Sequence, residues 1–168
     1  LEHFCKKHQT NNPGRAISNV GGYQSNDLNL SEPIISPLLK QIQIHSNKFA
    51  KEFNNNEQNL FNIWINISSF GNSNSSHNHT HSDISGVYYV KTPNECGDIV
   101  FEHPAIDYLD FYASLSGINP YNSISWWKPA VENTLYLFPS WLKHHVEPNE
   151  NKTEERISLS FNTNENKL

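Results

Sequence analysis

Three histidines at alternating positions, His77, His79 and His81, are followed at once by Asp83 in the stretch SHNHTHSDISGVYYV, Ser76 to Val90. On an extended backbone successive side chains alternate faces, so the three imidazoles would project to one side. Neutral imidazoles that converge are ligands for a divalent metal. A second source lies far along the chain, at His144 and His145 in FPSWLKHHVEPN. Two imidazoles with a third histidine or a carboxylate leave positions open on an ion where substrate and dioxygen can bind. Open positions separate a catalytic site from a structural one. A structural zinc site would favour thiolates, and neither Cys5 nor Cys96 is near the histidines in sequence.

The elements that must position these groups are short. From Leu60 the hydrophobic period becomes two: Phe61, Ile63, Ile65 and Ile67 share one face, and Asn62, Trp64, Asn66 and Ser68 the other. Further strands are expected in GVYYVKT from Gly86, DIVFEHP from Asp98, TLYLFPSW from Thr134 and RISLSFN from Arg156, with turns at NPY (Asn119 to Tyr121) and in EPNENKTEE from Glu147. In the last strand Ile157, Leu159 and Phe161 line one face while Arg156, Ser158, Ser160 and Asn162 line the other. If that polar face borders a cavity, the fork of Arg156 suits a carboxylate or phosphate; a solvated face is the equal alternative on this segment alone. One helix is expected, with Ser36 as its cap, Pro37 in its first turn, and an apolar stripe of Leu38, Leu39, Ile42, Phe49, Ala50 and Phe53. The cluster from Asn54 to Glu57 ends it. Many short strands and one long helix imply a mainly β fold, a β-sandwich or barrel with a helix packed outside. Residues 1–30 are polar, and GGYQS from Gly21 reads as a turn into a covering segment.

The 168 residues suit a single domain, residues 1–168, with a helix-containing part over about 1–58 and a jelly-roll core over about 60–163. A net charge of -5 gives no field to draw in phosphate backbone, so no nucleic-acid partner is expected. No apolar run approaches the roughly 20 residues that span a bilayer, so no membrane role is expected. Two cysteines outside any paired motif read as reduced thiols of a cytoplasmic protein.

Several separated motifs resemble a known family: SNVGGYQS at Ser18 to Ser25, WIN at Trp64 to Asn66, HNH followed by ISGVYYV, IVFEHP at Ile99 to Pro104, LFPSWLKH at Leu137 to His144, and ERISLSFN at Glu155 to Asn162. In this order they resemble the small bacterial and phage group of 2-oxoglutarate/Fe(II)-dependent oxygenases, which have a double-stranded β-helix core. The resemblance implies Fe(II) as cofactor, 2-oxoglutarate and dioxygen as co-substrates, and hydroxylation of an unidentified primary substrate with release of succinate and CO2. It implies iron ligation by His77, His79 and His144, and a salt bridge from Arg156 to the distal carboxylate of the keto acid. Ser158, Tyr89 or Tyr88, and Asn66 are further candidate contacts to the co-substrate.

The usual triad of such enzymes is two histidines and a carboxylate, whereas the resemblance puts His79 in the carboxylate's place. His81-Ser82-Asp83 is a literal His-x-Asp, and Asp83 therefore stays a candidate ligand or an orienting group. Gly71, His77, His79 and Asp83 also approximate the cupin metal motif with Asp in place of Glu, which would make Asp83 a ligand and need no keto acid. A non-catalytic binding module is the third reading. The loops expected to face substrate, including Asp107 to Trp127, carry no recognisable motif.

Overall fold

The computed structural model describes residues 1–53, 55–106, 119 and 122–165. Most of the expected substrate-facing stretch from Asp107 to Trp127, and most of the NPY turn, lie outside these. Strands β1 (Asn19–Val20), β4 (Ser73–His77), β9 (His144–Val146), β6 (Ile99–Glu102) and β7 (Ser125–Lys128) form one antiparallel sheet in that order. Strands β2 (Tyr23–Gln24), β3 (Gln58–Ser68), β10 (Arg156–Glu165), β5 (Ile84–Lys91) and β8 (Leu135–Pro139) form the other. The result is the expected jelly roll, with α1 (Glu2–Asn11) and α2 (Ser36–Glu52) outside it.

The alternation of β3 and β10 sorts their side chains into two layers. Ile63, Ile65 and Ile67 join Ile157, Leu159 and Phe161 in a core completed by Cys5 of α1 and by Ile35 and Ile42. The opposite faces put Arg156 across from Ser68, Ser158 from Asn66 and Ser160 from Trp64. On the other side of β10, Tyr89 pairs with Ser158 and Val87 with Ser160. Val87 and Tyr89 pack with Ile99, Phe101 and Phe138 in a second core. The polar face of β10 thus borders the space between the sheets, and the solvated alternative does not hold.

Four local expectations change. Ser36 is not the helix cap: the 3-10 turn Pro33–Ile35 runs straight into α2, leaving Ser36 already helical at φ -53, ψ -41 and Ile35 at the cap position. Phe53 falls at the C-cap, half exposed, and packs edge-on against Phe49 at 5.0 Å between centroids. Phe61 also leaves the core. Asn62 pairs with Asn162 but Leu60 with Thr163, so Phe61 is the extra residue of a bulge and the alternation resets there. The polar N-terminus contains a helix, α1, held to the sheet by buried Cys5 and by the ion pairs Lys6 with Glu155 and Glu2 with Lys91.

Candidate active site

His77 is the last residue of β4 and His144 the first of β9, and the ladder sets them directly opposite one another. His79 lies just beyond β4, held by a hydrogen bond from its backbone N–H to the Ser140 carbonyl, 2.9 Å. One ligating atom from each of the three rings lies within 4.8 Å of the others. Nδ1 of His77 donates to the Ser75 carbonyl at 2.7 Å, and Nδ1 of His144 to that of Leu142 at 2.9 Å. A carbonyl can only accept, so these two rings carry their proton on Nδ1 and turn the Nε2 lone pair inward. Such outer hydrogen bonds fix the tautomer of a metal-bound imidazole.

Burial also keeps the rings neutral. It lowers the pKa of His77, that of His79 to about 4 and that of His144 to about 3, with repulsion from the neighbouring imidazoles adding in the last two. Trp64 stacks on His79 with centroids 5.7 Å apart, and Phe138 meets His144 edge-on at 4.6 Å. Asn162 hydrogen-bonds His79 and partly offsets the downward shift. Trp64, Phe138 and Asn162 thus orient the rings. Trp64 and Asn162 sat on the polar faces read from the sequence, but their service to His79 depends on distant segments meeting.

The alternation carries two histidines, not three. His81 has φ +67, a turn conformation that ends the extended run, and its side chain is exposed. Asp83 is likewise exposed and does not join the imidazoles. Its Oδ2 accepts from the backbone N–H of Glu165 at 2.7 Å, tying it to the end of β10. Asp83 thus lies outside the cluster that His77, His79 and His144 form.

A single cavity runs from these histidines to Arg156 and includes Asn66, Tyr89, Ser158 and Ser160 in its walls. Arg156 is 3 % exposed, yet no carboxylate among the described residues lies within ion-pair distance of it. Its Nη1 donates to the carbonyls of Cys96, Gly97 (3.1 Å) and Glu147 (3.3 Å). Gly97 is required for this cradle. Its φ is +81, and a Cβ there would lie 2.5 Å from the Glu147 carbonyl oxygen. Burial lowers the pKa of Arg156, opposed first by Tyr89, but a guanidinium stays charged. Of the two tyrosines, Tyr89 points inward at 2 % exposure, while Tyr88 donates to Asn133 on the outside at 2.9 Å. Burial raises the Tyr89 pKa, so its hydroxyl remains a donor. Asn66 is held toward the cavity by a 3.0 Å bond to Ser160 Oγ.

A histidine cluster and a buried arginine line one cavity between the sheets of a jelly roll. The family model described as "Putative 2OG-Fe(II) oxygenase" matches residues 62–162, more than half of the chain. The chain belongs to this family of 2-oxoglutarate- and iron-dependent oxygenases.

Solved structures agree on the fold. A prolyl-4-hydroxylase from Pseudomonas putida is similar over 98 % of this chain and 84 % of its own, with 14 % identity and TM-score 0.67. A prolyl hydroxylase from Trichoplax adhaerens, solved with a peptide fragment of hypoxia inducible factor, covers 97 % and 75 % with 13 % identity and TM-score 0.67. HygX from Streptomyces hygroscopicus, solved with nickel and 2-oxoglutarate, covers 99 % and 78 % with 10 % identity and TM-score 0.62. No curated protein sequence matches the chain. Among the described residues no helix is long and apolar enough to cross a membrane.

Proposed function

We propose that His77, His79 and His144 hold Fe(II), that Arg156 binds the distal carboxylate of 2-oxoglutarate, and that the enzyme hydroxylates a C–H bond of its primary substrate. The observation that carries this reading is the buried Arg156, which has no carboxylate within ion-pair distance among the described residues and lines the same cavity as the three imidazoles. A buried charge is costly unless paired. A dicarboxylate that reaches from the imidazoles to the arginine supplies the missing partner.

The donor set suits the ion. Two of the three rings have Nδ1 committed outward, and their depressed pKa values leave the lone pairs free near neutrality. Bound iron would supply dioxygen activation coupled to decarboxylation of the keto acid. Across the reaction, 2-oxoglutarate, O2 and R–H become succinate, CO2 and R–OH, one oxygen atom entering succinate and one the product.

The protein's own groups bind and exclude. Arg156 offers its fork, already oriented by the carbonyl cradle, so little freedom is lost on binding. Ser158 and Tyr89, in the walls of the same cavity, would donate to that carboxylate, and Asn66 to the body of the keto acid. Trp64, Val87, Ile99 and Phe138 wall the space between the two ends and keep it dry, which strengthens the charged contacts.

Succinate formation that needs both iron and 2-oxoglutarate, and is lost in Arg156→Ala and in His144→Ala, is the expected result. Iron-loaded protein that binds no 2-oxoglutarate would rule the proposal out.

A further inference from the structure

His77 and His144 each have Nδ1 fixed by a backbone carbonyl, whereas the outward partner of His79 is the side chain of Asn162. Nε2 of His79 faces His144, which leaves Nδ1 for the amide. Asn162 does not stand alone. It lies directly opposite Ser85 in the ladder of β10 and β5, and Ser85 Oγ donates to Asn162 Oδ1 at 2.7 Å. A serine hydroxyl has one proton, so the 2.7 Å bond between Ser85 Oγ and Ser140 Oγ is donated by Ser140. Three side chains, from β5, β10 and the turn after β8, therefore form a directed chain that runs Ser140 to Ser85 to Asn162 and ends beside His79.

We propose that Ser140, Ser85 and Asn162 act together as positioning residues for His79: Asn162 Oδ1 accepts from Nδ1–H of the imidazole as well as from Ser85, and so turns the bare Nε2 toward the ion shared with His77 and His144. An amide oxygen has the two lone pairs this requires. An acceptor favours the protonated imidazole and a donor disfavours it, so the upward pull of Asn162 on the His79 pKa agrees with the oxygen meeting the ring. Ser140 also holds the main chain that carries the ring. Its carbonyl accepts from the His79 N–H at 2.9 Å and its N–H donates to the Asp83 carbonyl at 3.0 Å, so one residue grips both ends of the turn from His79 to Asp83.

Ser85 and Ser140 are 0 % exposed and Asn162 is 6 % exposed, so water does not compete for these bonds. Buried polar groups that served packing alone would tolerate apolar replacements of the same shape. A chain that sets the tautomer of a metal ligand would not, because His79 would then be free to carry its proton on either nitrogen.

A long-range 1H–15N correlation spectrum of the metal-free, full-length protein at about pH 7.5 reports which nitrogen of each neutral imidazole carries the proton. His79 is expected as the Nδ1–H form, and the Nε2–H form would overturn the proposal. Asn162→Leu, which cannot accept, should populate the Nε2–H form and weaken cobalt(II) binding about 10–100-fold, while Asn162→Asp, which keeps an acceptor, should restore affinity to within about threefold. An Asn162→Leu variant with native near-ultraviolet circular dichroism and native cobalt(II) affinity would also overturn it. If that variant does not fold, Ser85→Ala decides: a mixture of His79 tautomers is expected, and the native tautomer with native affinity would contradict the chain. The link to the ion rests on the ligand assignment above. His79→Ala protein with native cobalt(II) affinity would overturn that assignment and this link together, whereas the Nε2–H form of native His79 would overturn the chain alone.

Discussion

Nε2 of His79 lies 3.4 Å from Nε2 of His144, and the two ring planes are parallel to within 2°. The lone pair of His144 points at its neighbour because Nδ1 is occupied by the Leu142 carbonyl. Only a proton or a cation can lie between two such atoms. Two metal–nitrogen bonds of about 2.1 Å at roughly 90–110° hold their nitrogens about 3.0–3.4 Å apart, so the spacing is compatible with two ligands of one ion as well as with a hydrogen bond between the rings.

One divalent ion per chain is therefore expected in equilibrium dialysis. Losing an outer hydrogen-bonding partner typically costs 10–100-fold in metal affinity, so His77→Ala, His79→Ala and His144→Ala should each cost at least about 100-fold. Asp83→Ala should leave metal affinity unchanged. It should instead destabilise the fold by roughly 0.5–1.5 kcal/mol, the worth of its hydrogen bond to the end of β10. Metal binding lost in Asp83→Ala would restore the His-x-Asp ligand set.

Arg156 should discriminate by shape as well as charge. Arg156→Lys keeps the charge but loses the fork and the carbonyl cradle. Calorimetry on metal-loaded protein should show 2-oxoglutarate binding weakened about 10–100-fold by Lys and further by Ala, in line with the roughly 1.5–3 kcal/mol of a charge-assisted hydrogen bond. A Lys variant with native affinity would contradict bidentate recognition.

The metal-free fold should weaken in mild acid. His79 and His144 have folded pKa values of about 4 and about 3, below the ordinary imidazole value of 6.5. Below pH 6.5 the unfolded chain takes up protons that the folded one refuses, so stability falls as pH drops from about 6.5 toward 4. Above pH 6.5 these groups contribute no slope. Urea midpoints of metal-free protein at several pH values measure this, and His144→Gln should flatten the slope.

Close packing at the sheet centre gives a separate check. A Cβ on Gly86 would sit 2.6 Å from the Tyr136 carbonyl oxygen, with the Phe161 ring closer still. Gly86→Ala should cost about 1–3 kcal/mol, as overpacked cores do, and lower the thermal midpoint without changing metal stoichiometry.

These residues also show what a sequence can disclose. The two-residue period of β3 and β10 placed Ile65, Leu159, Asn66 and Ser158 on their proper faces, because burial on one side of a strand writes an alternation. The His-x-His spacing and Arg156 were legible for the same reason. Other elements left no such trace. β4 reads SNSSH and has no apolar residue, so it exists only through its pairing with β1 and β9. α1 buries Cys5 alone, which makes no stripe. The bulge at Phe61 and the turn at His81 break periods that look continuous, and the roles of Asn162 and Trp64 arise from contacts between segments distant in the chain.

The central claim is that three imidazoles and one arginine divide the binding of iron and keto acid between them. Anaerobic crystals with Fe(II) and 2-oxoglutarate test it most directly. The account predicts an ion about 2.1 Å from Nε2 of His77, His79 and His144, with the distal carboxylate of the keto acid on the Arg156 guanidinium. An ion bound through Asp83, or a keto acid away from Arg156, would contradict it.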